Sequence, residues 1–168
     1  MPRRLILMRH AKSDWTDADA SDHARILNGR GRAACAAIGP WLAARGYVPD
    51  QVLCSDAART RETWARIAPF LPEAAAPTLR SGLYLAEPGG MLRALQGALG
   101  HVVALVGHNP GIGSLAAGLL ADRPAHADFC RYPTLATLIA DFDIDDWAKL
   151  VPSTGRVVAF IVPRDLTD

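Results

Sequence analysis

The sequence has no excess of charge of either sign. Its 18 Lys and Arg stand against 17 Asp and Glu, a formal net charge of +1. A chain so balanced sets up no global field toward nucleic acid or an anionic membrane, and neither is expected as a partner. Long apolar runs are also missing. The opening run, residues 5–8, stops at Arg9-His10, too short for the hydrophobic region of a signal peptide or for a membrane span. Cysteine is scarce. Cys35, Cys54 and Cys130 are odd in number and fit neither a disulfide framework nor a metal site. The expectation is three small buried thiols in a reduced, cytoplasmic protein. His23, His101 and His126 have no ligand-like spacing with carboxylates or cysteines, so no metal is expected, and no cofactor is called for.

What is present is an ordinary globular composition. Half of the 168 residues are hydrophobic and 21% are charged, consistent with one domain over residues 1–168 and a sizeable core. Strands are expected at 5–8, 52–54 and 102–106, with a marginal one at 78–80 and two more at 134–140 and 156–162. Residues 16–30 read as a polar loop. Helices are expected over 31–45, with Pro40 kinking or tightening it and Gly46 stopping it, from Ser55-Asp56 to about Ile67, over 91–99, and from Asn109 to about Leu120. Asn109 as N-cap with Pro110 first in the helix is a strong start signal. Alternating strands and helices imply an α/β fold with a mainly parallel sheet.

Three of these strands end in chemistry. The first runs into Arg9-His10, the second into Ser55-Asp56-Ala57-Ala58-Arg59, and the one at 102–106 into Gly107-His108. Ligands of open α/β sheets sit beyond the carboxyl ends of the strands. Two arginines and two histidines would gather there, beside helix N-termini that present free N–H groups. Each residue alone has a bland explanation: Arg59 as a solvated first-turn residue, Arg9 paired to an aspartate, His10 and His108 as turn or core residues. Nothing in core packing requires all four to fall at strand ends, and together they call for a compact dianion such as phosphate.

Leu7-Met8-Arg9-His10, the stretch Ser55 to Thr63 with Arg four and Thr eight after the Ser, and Gly107-His108-Asn109-Pro110 resemble, in order and spacing, the three motifs of the histidine phosphatase superfamily, which includes cofactor-dependent phosphoglycerate mutases. The short length is most similar to the small bacterial phosphohistidine phosphatases, a single domain without a cap insertion. The resemblance implies a three-layer α/β/α fold with helices on both faces of the sheet. It implies His10 as a transiently phosphorylated nucleophile, with Arg9, Arg59 and His108 on the phosphoryl oxygens, Thr16 and Ser55 as further candidate contacts, and inorganic phosphate as product. Ala11 stands where the family usually has Gly, and slight crowding is expected there. Thr16 stands where many relatives carry Asn.

Attack requires a neutral His10, which the neighbouring arginines favour. An alkoxide leaving group also needs a proton donor, and Glu87 is the one acid in the segment where mutase-like relatives carry theirs. A helix N-terminal role is the stronger reading of Glu87. Without an acid, a better leaving group such as imidazole is expected. The substrate would then be a phosphorylated protein carrying phosphohistidine. A small-molecule phosphomonoesterase is the alternative, and a non-catalytic phosphoprotein-binding module the alternative of another class.

Overall fold

The computed structural model describes residues 2–167. Six strands form one sheet: β1 (Arg3–Arg9), β2 (Gln51–Ser55), β3 (Pro77–Arg80), β4 (Val102–Gly107), β5 (Thr137–Phe142) and β6 (Arg156–Ile161), in the order β3-β2-β4-β1-β5-β6. The strands from β3 to β1 are mutually parallel, while β5 runs antiparallel to both β1 and β6. The sheet is therefore mainly parallel with an antiparallel edge.

The pleat divides the core in two. Leu5 and Leu7 of β1 point to one face, where they join Leu53, Val103 and Leu105 under α3 (Pro88–Gln96) and α4 (Gly111–Leu119). Ile6 and Met8 point to the other, with Val52, Cys54, Ala104 and Val106 under α1 (Gly29–Ala44) and α2 (Ala58–Ile67). Central strands buried on both faces read as continuous apolar runs for this reason. The result is the three-layer α/β/α arrangement, closed by the short α5 (Arg164–Thr167). Among the described residues no helix is long and apolar enough to cross a membrane.

Several local expectations shift. α1 starts at Gly29 because the Asn28 side chain accepts from the Gly31 N–H. It continues unbroken through Pro40, and Gly46 follows it at φ +71°. Asn28 and Gly29 were expected in a loop. Neither Ser55 nor Asp56 caps α2: Ala57 occupies that position without a side-chain bond. Pro110, not Asn109, is the residue before α4, and the Asn109 side chain instead reaches into the first turn to accept from the Gly113 N–H. The fifth strand lies at 137–142 rather than 134–140, because Leu135 takes a left-handed turn conformation at φ 57°. Cys35 and Cys54 are buried as expected, but Cys130 is exposed.

Candidate active site

The order of the sheet places β2, β4 and β1 side by side, and their register aligns Cys54 with Val106 and Val106 with Met8. Ser55, Gly107 and Arg9 follow one step on, so the three motifs meet at one edge. A cavity of about 320 Å³ opens there, lined by Arg9, His10, Asp22, Arg25, Arg59 and His108 among others.

His10 is held by its backbone on three sides. Its N–H donates to the Gly107 carbonyl at 3.1 Å, and its carbonyl accepts from Leu135 at 3.0 Å. The next N–H, of Ala11, donates to Thr63 Oγ1 at 2.9 Å, while the Thr63 hydroxyl donates back to the Arg59 carbonyl at 2.7 Å. Thr63 thus ties the end of β1 to α2. The methyl of Ala11 is fully buried in the core beside α1, so the substitution for Gly is absorbed by packing. The close approach of α1 is made possible by Gly31, where a Cβ would fall 2.2 Å from the Lys12 carbonyl oxygen.

The imidazole of His10 lies 2.7 Å through Nδ1 from the Ala11 carbonyl. A carbonyl can only accept, so Nδ1 carries the proton and Nε2 keeps its lone pair. Burial is the main reason that its pKa is pushed down to about 3; Arg9, His108 and Arg59 add to the effect and the bond to Ala11 opposes it. The expectation that this histidine is neutral holds, with burial rather than the arginines as the leading cause. His108, whose ring centroid lies 5.3 Å from that of His10, is lowered to about 4, again mainly by burial and then by Arg59. Its Nε2 meets Ser55 Oγ at 2.7 Å, and its Nδ1 is buried with no partner.

The two histidines make stability pH-dependent. Both bind protons near the ordinary histidine value of about 6.5 when unfolded and only near 3 to 4 when folded. Between those limits the unfolded chain holds more protons, so stability is full above about pH 6.5 and falls as the pH drops toward 4. The urea midpoint of the wild type is expected to fall between pH 6.5 and 4.5 more steeply than that of His10→Ala; equal slopes would contradict the assignment.

The arginines are less alike than their motifs suggest. Arg9 is half-buried and donates to the Tyr132 carbonyl at 3.2 Å. Arg59, which alone would be a solvated residue, is only 3% exposed. Its guanidinium meets Asp22 twice, at the carbonyl oxygen (2.7 Å) and at the carboxylate (3.1 Å). The Asp22 carboxylate also accepts from Arg25 at 2.6 Å and from the Tyr84 hydroxyl. These donors, Tyr84 foremost, hold the Asp22 carboxyl well below the usual range. Of six buried side-chain nitrogens without a partner among the described residues, four belong to Arg9, Arg25, Arg59 and His108. Unpaired donors gathered around one cavity mark a site built for an anion.

Residues 5–83 match the model of the histidine phosphatase superfamily (branch 1). An uncharacterized protein of Mycobacterium tuberculosis is 34% identical over 164 residues, covering 94% of this chain and 100% of that protein. The chain belongs to the histidine phosphatase superfamily. An uncharacterized chloroplastic protein of Arabidopsis thaliana is 49% identical over 61 residues, 36% of this phosphatase and 28% of that longer protein. A solved structure assigned as phosphohistidine phosphatase SixA from Nakamurella multipartitia superposes with a TM-score of 0.80 at 28% identity, over 97% of each chain.

Four residues of the phosphatase expected to meet, Arg9, His10, Arg59 and His108, line the one cavity. Three others do not line it. Ser55 is fully buried behind His108 and touches the imidazole. Thr16 turns its hydroxyl to Asp14 at 2.7 Å. Glu87 stands exposed at the N-terminal end of α3, as its helix-end reading implied, and makes no capping bond. Leu85, two residues earlier, lines the cavity in its place. Glu87→Gln is therefore expected to leave phosphohistidine turnover close to wild type; a steep loss with the fold intact would restore it as an acid. The sequence reading missed Asp22, Arg25 and Tyr84, which frame Arg59. The available signal was an aspartate and an arginine three apart, Asp22 and Arg25, at the start of and just after a short helical turn (Asp22–Ala24) inside the polar segment after the first motif.

Proposed function

We propose that this phosphatase removes the phosphoryl group from protein phosphohistidine by way of a phosphohistidine at its own His10. One observation carries the choice of substrate. Asp22 is the sole carboxylate lining the cavity among the described residues, and its donors keep it ionised. The histidines, with pKa values pushed down to about 3 and about 4, are unprotonated near neutral pH and hold no imidazolium proton to give. Tyr84 already spends its hydroxyl on Asp22. An alkoxide would leave without help, whereas an imidazole takes its proton from solvent. The resemblance to the Nakamurella multipartitia structure named for this activity supports the same reading.

In the first step Nε2 of His10 attacks phosphorus in line, the phosphorus–nitrogen bond of the substrate breaks, and its imidazole leaves. Arg9 and Arg59 clamp the equatorial oxygens as planar donors. Ser55 donates to Nε2 of His108, which leaves the unpartnered Nδ1–H of His108 for a third oxygen. In the second step water attacks the phosphoenzyme, releasing inorganic phosphate and neutral His10. A turnover comparison between a phosphohistidine protein and a panel of aryl and alkyl phosphates tests the proposal. Phosphohistidine is expected to be turned over well, aryl phosphates less well and alkyl phosphates poorly. Efficient alkyl phosphate turnover would favour the small-molecule esterase, and no turnover of any would leave a binding module.

A further inference from the structure

The phosphate cavity is not the largest on the molecule. A second one, of about 490 Å³, adjoins it and shares Lys12 and Thr134 with it. Both lie within the size range of ordinary ligand sites. Among the described residues the second is bordered by four cations, Lys12, Arg30, Arg131 and Arg164, against one acid, Asp128. Asp128 is already shared between Arg164 at 2.9 Å and Arg131 at 3.4 Å. Neither Lys12 nor Arg30 has a carboxylate partner among the described residues. The local balance is strongly positive in a chain whose total charge is +1.

The position of Arg30 is a second, independent sign. It lies in the first turn of α1, a helix of 16 residues whose first turn holds no acidic residue. A cation there opposes the helix dipole, which favours negative charge at that end. An arrangement that costs stability in the free protein is expected where an external anion compensates for it. The floor decides which anion. Ala33, Ala34, Pro133, Val162 and Pro163 form an apolar base, with the cations set around it. A compact second phosphate would call for converging donors, as Arg9, Arg59 and His108 converge in the neighbouring cavity. An extended segment with carboxylates at intervals and aliphatic stems between them fits a basic rim over an apolar floor.

We propose that this trough holds an acidic segment of the protein substrate next to its phosphohistidine, and so selects which phosphoprotein the enzyme takes. The proposal rests on the phosphohistidine reading above. Lys12 and Thr134, common to both cavities, place the segment within a few residues of the phosphorylated side chain.

Two phosphohistidine peptides that differ only in acidic or neutral flanking residues provide the test, with an aryl phosphate and a small bisphosphate as companions. For the wild type, the KM of the acidic peptide is expected to lie about tenfold below that of the neutral one, the sum of a few partly screened ion pairs. The gap should close in Arg30→Glu/Arg164→Glu and shrink at high salt. Aryl phosphate turnover by that variant should match wild type, which shows that the fold and the chemistry are intact. Equal KM values for the two peptides would overturn the proposal and leave the phosphohistidine reading standing. A lowered KM for the bisphosphate alone would also overturn it, assigning the trough to a small molecule. Aryl phosphate turnover without turnover of either peptide would overturn both.

Discussion

His10→Ala is expected to abolish phosphatase turnover, with a loss on the order of 10⁴-fold or more, while the fold survives. The imidazole makes one hydrogen bond within the protein, to the Ala11 carbonyl. The backbone around it is fixed by Gly107, Leu135 and Thr63, none of which needs the ring. Removing the side chain therefore costs about 1 kcal/mol of bonding and leaves the strand end in place. It also removes a buried group that destabilises the protein at low pH. The chemistry has no substitute: His108 is engaged through Nε2 with Ser55, and Cys54 points into the core with its thiol pushed up to about 12 by burial. Wild-type enzyme quenched during turnover should carry label that is lost in acid and kept in base, as a phosphoramidate is. Acid-stable label, or label retained in the alanine variant, would remove His10 as the nucleophile.

The parts of this site that were legible in the sequence are those encoded by strand ends. Arg9, His10 and His108 follow apolar runs that could only be core strands, and in a parallel sheet such ends share one edge. Arg59 was legible by its spacing from Ser55, but not its burial, which depends on Asp22 crossing from a distant loop. That loop was the weak point. Its polarity marks it as irregular, yet Ser21 caps a turn within it by accepting from Ala24, and the turn delivers Asp22 and Arg25 to the cavity. Tertiary contacts of this kind leave no periodic trace. Thr16 as a phosphate contact and Glu87 as a proton donor are kept out of the site for a related reason, while the stronger helix-end reading of Glu87 stands. Thr16 follows the first motif closely and Glu87 is the one acid in the segment before α3, but a local partner in one case, and a place at the exposed end of a helix in the other, keep them from the cavity. Ser55 was placed in the right motif with the wrong task, because a hydroxyl at a strand end can face the ligand or the histidine behind it, and only the register of β2 against β4 settles which.

Arg59→Ala is expected to lower kcat/KM by roughly two to three orders of magnitude, about 3 kcal/mol of lost transition-state stabilisation. Two effects combine. The guanidinium sits nearly dry, where a charge-assisted bond to a phosphoryl oxygen is worth more than in water. Its loss also frees Asp22 from one of its three cationic or hydroxyl donors, so that a carboxylate faces the incoming dianion less well compensated. Arg25 and Tyr84 still hold Asp22, so the turn that carries it should stay in place and the variant should fold. Arg59→Lys separates the two effects. A lysine keeps the charge against Asp22 but cannot present a planar fork, so its activity should fall between wild type and the alanine variant. Vanadate or phosphate should raise the melting temperature of the wild type clearly, of the lysine variant less, and of the alanine variant hardly at all. An alanine variant that folds, binds vanadate as wild type does and keeps near-normal turnover would mean that Arg59 serves Asp22 and not the phosphate.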